Sequence, residues 1–221
     1  MRSFEELYGI AAERKGGPGA LDALLEPAVP PDELALLPDD RWLSILTKAV
    51  FSAGFNWKVV ENKWPGFEEA FKGFDVGAVA FMDDVWFDRL LTDTRVIRNG
   101  AKLRAVQENA VLLQDLASDH GSAARAIAYW PREDYVGLLE LLKTRGSRLG
   151  GTTAQYALRF GGRDGFILSK DVVARLVAEG IVDKAPTSKK ALAAVQVAFN
   201  DWSVESGRGL KEISRVLAMS V

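Results

Sequence analysis

Between Leu141 and Asp171 the chain reads LLKTRGSRLGGTTAQYALRFGGRDGFILSKD. An amphipathic helical pattern stops at Gly146, a short basic turn carries Gly150 and Gly151, and a second helical pattern starts at Thr152 and Thr153. Two helices joined by so few residues fold back on one another, so this stretch commits the chain to helix-on-helix packing. Glycines let the turn's backbone approach a partner closely, and the amide groups that open a helix attract anions. Twenty residues past Gly151, behind the apolar run Phe166-Ile167-Leu168, stands a lone carboxylate, Asp171.

The rest of the chain has the same helical grammar. Phe4 to Arg14 is amphipathic and ends before Lys15-Gly16-Gly17-Pro18-Gly19. Asp39-Asp40 is placed to cap the next helix, whose Trp42, Leu43, Ile45, Leu46, Ala49, Val50 and Ala53 form one broad apolar face. Gly54 marks its end, a helix from Asn56 or Trp57 runs to Asn62, and Pro65 suits the opening of another over Gly66 to Phe74. Long helices are predicted for Lys102 to Ala117, Glu133 to Arg145, Thr152 to Phe160, Asp171 to Glu179, Ser188 to Ser206 and Leu210 to Ala218, while Ser122 to Trp130 fits no single pattern. No alternating run or Asn-Gly hairpin signals a strand. The expected fold is all-α, one domain of two intimate helical subdomains with a cleft between them. Residues 1–44 join about 161–221, and about 45–160 form the centre, with the hairpin at 133–160.

Composition removes several chemistries. The chain has no cysteine and one histidine, His120, in the loop-like Ser118-Asp119-His120-Gly121. A disulfide, a thiolate nucleophile and an ordinary zinc site are therefore excluded, and the expected metal complement is none. No apolar run reaches membrane-spanning length and the start lacks a signal-peptide pattern, so a cytoplasmic protein is expected. Net charge is only −2, but unevenly spread. From Met1 to Trp42 there are nine acidic and four basic residues, whereas Lys143, Arg145, Arg148, Arg159, Arg163, Lys170 and Arg175 face only Asp164 and Asp171 in the hairpin stretch. A local basic patch is what phosphate binding requires.

Several pieces, in order, resemble bacterial DNA-3-methyladenine glycosylase I of the helix–hairpin–helix glycosylase superfamily. They are Phe51-Ser52-Ala53-Gly54-Phe55-Asn56-Trp57, then Phe67-Glu68-Glu69-Ala70-Phe71 and Phe74-Asp75-Val76, then Val96-Ile97-Arg98-Asn99-Gly100-Ala101-Lys102-Leu103 with Asn109-Ala110, and Leu149-Gly150-Gly151-Thr152-Thr153 with Tyr156. The resemblance covers roughly residues 40 to 175. The chain departs from the family in lacking its two cysteine and two histidine zinc ligands. Ala49 stands where the family carries a glutamate, and Tyr8 is the nearest counterpart of the family's N-terminal tyrosine.

The resemblance implies a monofunctional enzyme of base excision repair. It would rotate an alkylated purine such as 3-methyladenine out of double-stranded damaged DNA and hydrolyse its N-glycosidic bond, as a monomer and without zinc. Arg148, Gly150, Gly151, Thr152 and Thr153 would hold a DNA phosphate, with a monovalent cation between hairpin carbonyls and phosphate. Trp57 would stack on the base and Phe55 would enter the duplex. Asp171 falls where the superfamily keeps its catalytic aspartate; on local pattern alone, it would instead cap a helix starting at Val172. The alternative is a non-catalytic helix–hairpin–helix DNA-binding protein, which Ala49 favours.

Overall fold

A computed structural model describes all residues, 1–221, and contains helices and no strand. In chain order the helices are α1 (Phe4–Lys15), α2 (Pro18–Asp22), α3 (Pro31–Leu34), α4 (Asp39–Ser52), α5 (Trp57–Ala70), α6 (Val76–Ala80) and α7 (Asp84–Thr92). They continue with α8 (Gly100–His120), α9 (Ala123–Ala128), α10 (Tyr135–Arg145), α11 (Thr152–Gly161), α12 (Lys170–Ala178), α13 (Lys189–Ser206) and α14 (Leu210–Met219). The all-α expectation holds. Two compact units divide the chain, a terminal unit of 1–29, 131–137 and 162–221 and a central unit of 30–130 and 138–161. Residues 30–44, assigned from sequence to the terminal part, group with the central unit, because α4 is one uninterrupted helix across that boundary.

The central unit is built around α4 and α8. Trp42, Leu43, Leu46 and Phe51 of α4 are completely buried, as are Leu103 and Leu113 of α8. Phe67, Phe71 and Phe74 are stacked in series, and Trp64 lies flat on Phe67 at 5.0 Å between ring centroids. α11 packs directly on α4, which brings the hairpin's second helix to the face that carries Ala49.

Three local expectations are overturned. Pro65 does not open a helix but lies inside α5. Its ring removes the bond to the Glu61 carbonyl, yet both residues are exposed on the helix surface, where the loss of one bond is least costly, and the helix continues. Nor does Asp39 cap α4. It occupies the helix's first position, and its carboxylate accepts the amides of Ala123 and Ala124 at 3.1 Å each, fixing the start of α9. Together with the local cap, in which the Ser122 hydroxyl accepts the Arg125 amide, this long-range cap starts a short helix, Ala123–Ala128, within the ambiguous 122–130 stretch. His120 is exposed as expected, but it is the last residue of α8 rather than part of a loop.

The terminal unit has its own core of Leu7, Leu21, Tyr135, Phe166, Phe199, Trp202, Ile213 and Leu217. Phe166 stacks on Phe199 at 4.3 Å, and Asp164 caps α14 through the amides of Leu210 and Lys211. Arg175 and Glu179 are buried one helical turn apart. Arg175 donates to the Ser220 side chain and carbonyl, while Glu179 accepts the backbone amide and guanidinium of Arg2. The two ends of the chain are thereby tied to α12.

Candidate active site

Helix α4 ends at Ser52, and the chain turns through Gly54, whose φ of +70° is a left-handed conformation that favours glycine. Asn56 then caps α5 by accepting the Lys58 amide at 2.9 Å. This turn is anchored from α8, because the Lys102 ammonium donates to the carbonyls of Ala53 at 2.9 Å and Phe51 at 3.2 Å. Burial pushes the Lys102 ammonium below its ordinary pKa, and the nearby Arg148 adds to that push. The turn presents Phe55 to solvent and places Trp57 in the first turn of α5, with its ring about two-fifths exposed. Tyr156 and Phe160 of α11 brace that ring edge-to-face at centroid distances of 6.0 and 5.2 Å.

The hairpin is held by a second side chain from α8. Asn109 is fully buried; its amide nitrogen donates to the Ser147 carbonyl and its oxygen accepts the Ser147 amide. A side chain at Gly146 would meet the Leu142 carbonyl at 2.6 Å and Leu149 at 2.7 Å, so only glycine lets α10 run this close into the turn. Arg148 adopts a left-handed φ of +59° without being glycine, a local strain of about 1 kcal/mol, and its Nε donates to the Ala101 carbonyl. Gly151, Thr152 and Arg148 are exposed, Gly150 and Thr153 half-buried, and α11 starts at Thr152 as the sequence indicated.

A cavity of about 160 Å³ lies where these parts meet, lined by Ala49, Ser52, Ala53, Gly54, Trp57, Thr152, Thr153 and Tyr156. Three of the site residues named from sequence, Trp57, Thr152 and Thr153, therefore share one cavity with the Ala49 position. Sequence reasoning gave Ser52, Lys102 and Tyr156 no role beyond the motifs that contain them. The available signals were the three-residue spacing of Ser52 from Ala49 and the four-residue spacing of Tyr156 from Thr152, each placing a pair on one helix face. Tyr8 instead belongs to the terminal unit, where its hydroxyl donates to the Pro18 carbonyl.

The basic patch is smaller than the count of cations suggested. Arg163 and Arg175 are buried in the terminal unit, Lys143 pairs with Glu140, and Arg145 pairs with Asp115 and Asp119. Asp171 is exposed in the first turn of α12 in the terminal unit. It is not that helix's cap. Ser169 fills the position, its hydroxyl accepting the Val172 amide, and the helix begins at Lys170. A zinc site does not fit this chain: there is no cysteine, one histidine, and no cluster of three or more histidine, cysteine, aspartate or glutamate side chains. In the hairpin, the carbonyls of Ser147 and Gly151 each accept a side-chain amide, from Asn109 and Gln155.

The fold recurs in solved structures of 3-methyladenine DNA glycosylase I. A tyrosine-to-phenylalanine variant in complex with 3-methyladenine superposes with a TM-score of 0.53 at 22% identity, covering 69% of this chain and 90% of that one. The Staphylococcus aureus enzyme, studied for its 3-methyladenine recognition, matches with a TM-score of 0.51 at 21% identity over 69% of this chain and 89% of that one. A glutamate-to-glutamine variant of the S. aureus enzyme gives 0.51 at 22% identity, over 66% and 86% of the two chains. The architecture is thus that of the all-α DNA glycosylases. Residues 36–136, which include Ala49 and Trp57, match the methyladenine glycosylase family. Over that stretch the chain is similar to the methyladenine glycosylase family, and its fold is the one seen in the solved 3-methyladenine DNA glycosylase I structures.

Proposed function

We propose that this chain is a monofunctional DNA glycosylase that excises alkylated purines of the 3-methyladenine type from double-stranded DNA. The observation that carries the reading is the cavity walled by Trp57 on one side and the start of the hairpin's second helix on the other. A duplex base is inaccessible to chemistry until its nucleotide rotates out of the stack. The amides of Gly150 and Gly151, the hydroxyls of Thr152 and Thr153 and the Arg148 guanidinium hold the backbone phosphate, while Phe55 enters the space that the base leaves. Trp57 offers its ring face to the extruded base, and an alkylated adenine, being cationic, is attracted more strongly than a normal one.

The remaining step is rupture of the bond between sugar and base. Its electron pair goes to the base, which neutralises the positive charge of an N3-alkylated adenine, so departure requires no acid. Positive charge moves to the sugar, where the Asp171 carboxylate stabilises it and accepts a proton from the water that adds to the sugar carbon.

Release of 3-methyladenine from methylated duplex, measured by chromatography of the freed bases, tests this. Asp171→Asn is expected to lower the rate about a hundredfold or more, with an unchanged melting temperature because residue 171 is exposed. No release from a broad panel of alkylated duplexes overturns the enzyme. Salt-sensitive duplex binding without release would instead establish the DNA-binding alternative, which the alanine at position 49 favours.

A further inference from the structure

The eight residues around the cavity include no charged side chain. Where the resembling family carries a glutamate, this chain has Ala49, and the wall can hydrogen-bond only through hydroxyls, the indole and backbone groups. Ser52 is three residues further along α4 and so shares Ala49's helix face. It lines the cavity, its residue is 2% exposed, and its Oγ is buried with no hydrogen-bond partner. Serine in a helix normally bonds back to a preceding carbonyl or faces water, and a buried hydroxyl that does neither is a standing cost to the fold. The carbonyls on either side of it, Phe51 and Ala53, are held by Lys102, so the backbone carrying Ser52 is fixed.

We propose that Ser52 reads the extruded base: its Oγ hydrogen-bonds the edge of a methylated purine stacked on Trp57. The proposal rests on the glycosylase reading of this cavity. A hydroxyl both donates and accepts, so it serves a base edge in either role without burying a charge. The hydroxyl is kept unsatisfied in the free protein because its partner arrives with the ligand. Stability and binding at this position must then move in opposite directions.

The test uses the full chain with free 3-methyladenine as probe, followed by calorimetric titration with unmodified adenine as control, together with the melting temperature of the free protein. Ser52→Ala is expected to bind 3-methyladenine about five- to tenfold more weakly, the loss of one neutral hydrogen bond, and to melt at the same or a higher temperature. Ser52→Cys keeps the shape with a poor donor and should weaken binding similarly. Affinity within twofold of the parent in both variants overturns the proposal while leaving the glycosylase reading intact. A fall in melting temperature with unchanged affinity overturns it too, by making the hydroxyl structural. A parent protein that neither binds 3-methyladenine nor releases it from methylated duplex removes the glycosylase reading and this inference with it.

Discussion

Buried polar groups on α12 of the terminal unit differ from three on α4 of the central unit. In the terminal unit, Arg175, Glu179 and Ser220 are buried and joined to one another or to Arg2 by hydrogen bonds. In the central unit, Trp42 Nε1, Thr47 Oγ1 and Ser52 Oγ, all on α4, are buried without partners. Satisfied groups fix a chain in place, whereas unsatisfied ones cost stability and persist where a ligand or strain accounts for them. α12 thus holds the molecule's ends, and of the unpartnered groups on α4 only Ser52 lines the cavity, the one proposed above for recognition.

That division can be broken by experiment. The largest expected effect is in the terminal unit. Glu179→Ala leaves Arg175 buried beside nothing but Ser220, and should cost about 3–5 kcal/mol, or a melting temperature lower by about 10 °C, while 3-methyladenine affinity stays at the parent value. A loss of affinity without a loss of stability would erase the contrast. The same carboxylate predicts a pH dependence. Burial pushes Glu179 up, but hydrogen bonds from Arg2 and Arg175 outweigh it and hold its pKa below the ordinary 4.5. A carboxyl depressed in the folded state stabilises the protein above the unfolded pKa. That contribution fades as pH drops from about 4.5 through the folded value, so acid melting curves should be steeper for the parent than for Glu179→Gln.

The next effect belongs to the cavity. Trp57→Ala removes the stacking face and should weaken 3-methyladenine binding about ten- to a hundredfold by titration, with little change in melting, since the ring is partly exposed. Smallest is Lys102→Met, which keeps the aliphatic stem but releases the Phe51 and Ala53 carbonyls. It should weaken binding a few-fold through a looser turn, and Lys102→Arg should recover part of the loss. A Lys102→Met protein with unaltered affinity would show that the turn needs no anchor.

What could be read from the residues follows the range of the forces involved. Helical periodicity and the glycine turn are local, and they gave the start of α11 at Thr152, whereas Trp57 was named only through the family resemblance and its sharing of a cavity with Thr152 and Thr153 emerged on folding. The failures involve partners distant in sequence. Asp39 caps a helix more than eighty residues away, so its own neighbourhood suggested the wrong target. Arg163 and Arg175 counted as surface charge until folding buried them. Ser52 was one more small residue in a helix, and only the missing partner of its hydroxyl in three dimensions marks it.

The Asn109 clamp on Ser147 has a mechanical consequence. With both polar ends of a buried amide committed to one loop residue, the glycine turn inherits the stiffness of a 21-residue helix rather than the suppleness of its own sequence. A duplex pressed against such an unyielding ledge must do the bending itself. Under the glycosylase reading, the double helix gives way most easily at a weakened pair, so rigidity in the protein becomes a means of searching for softness in DNA.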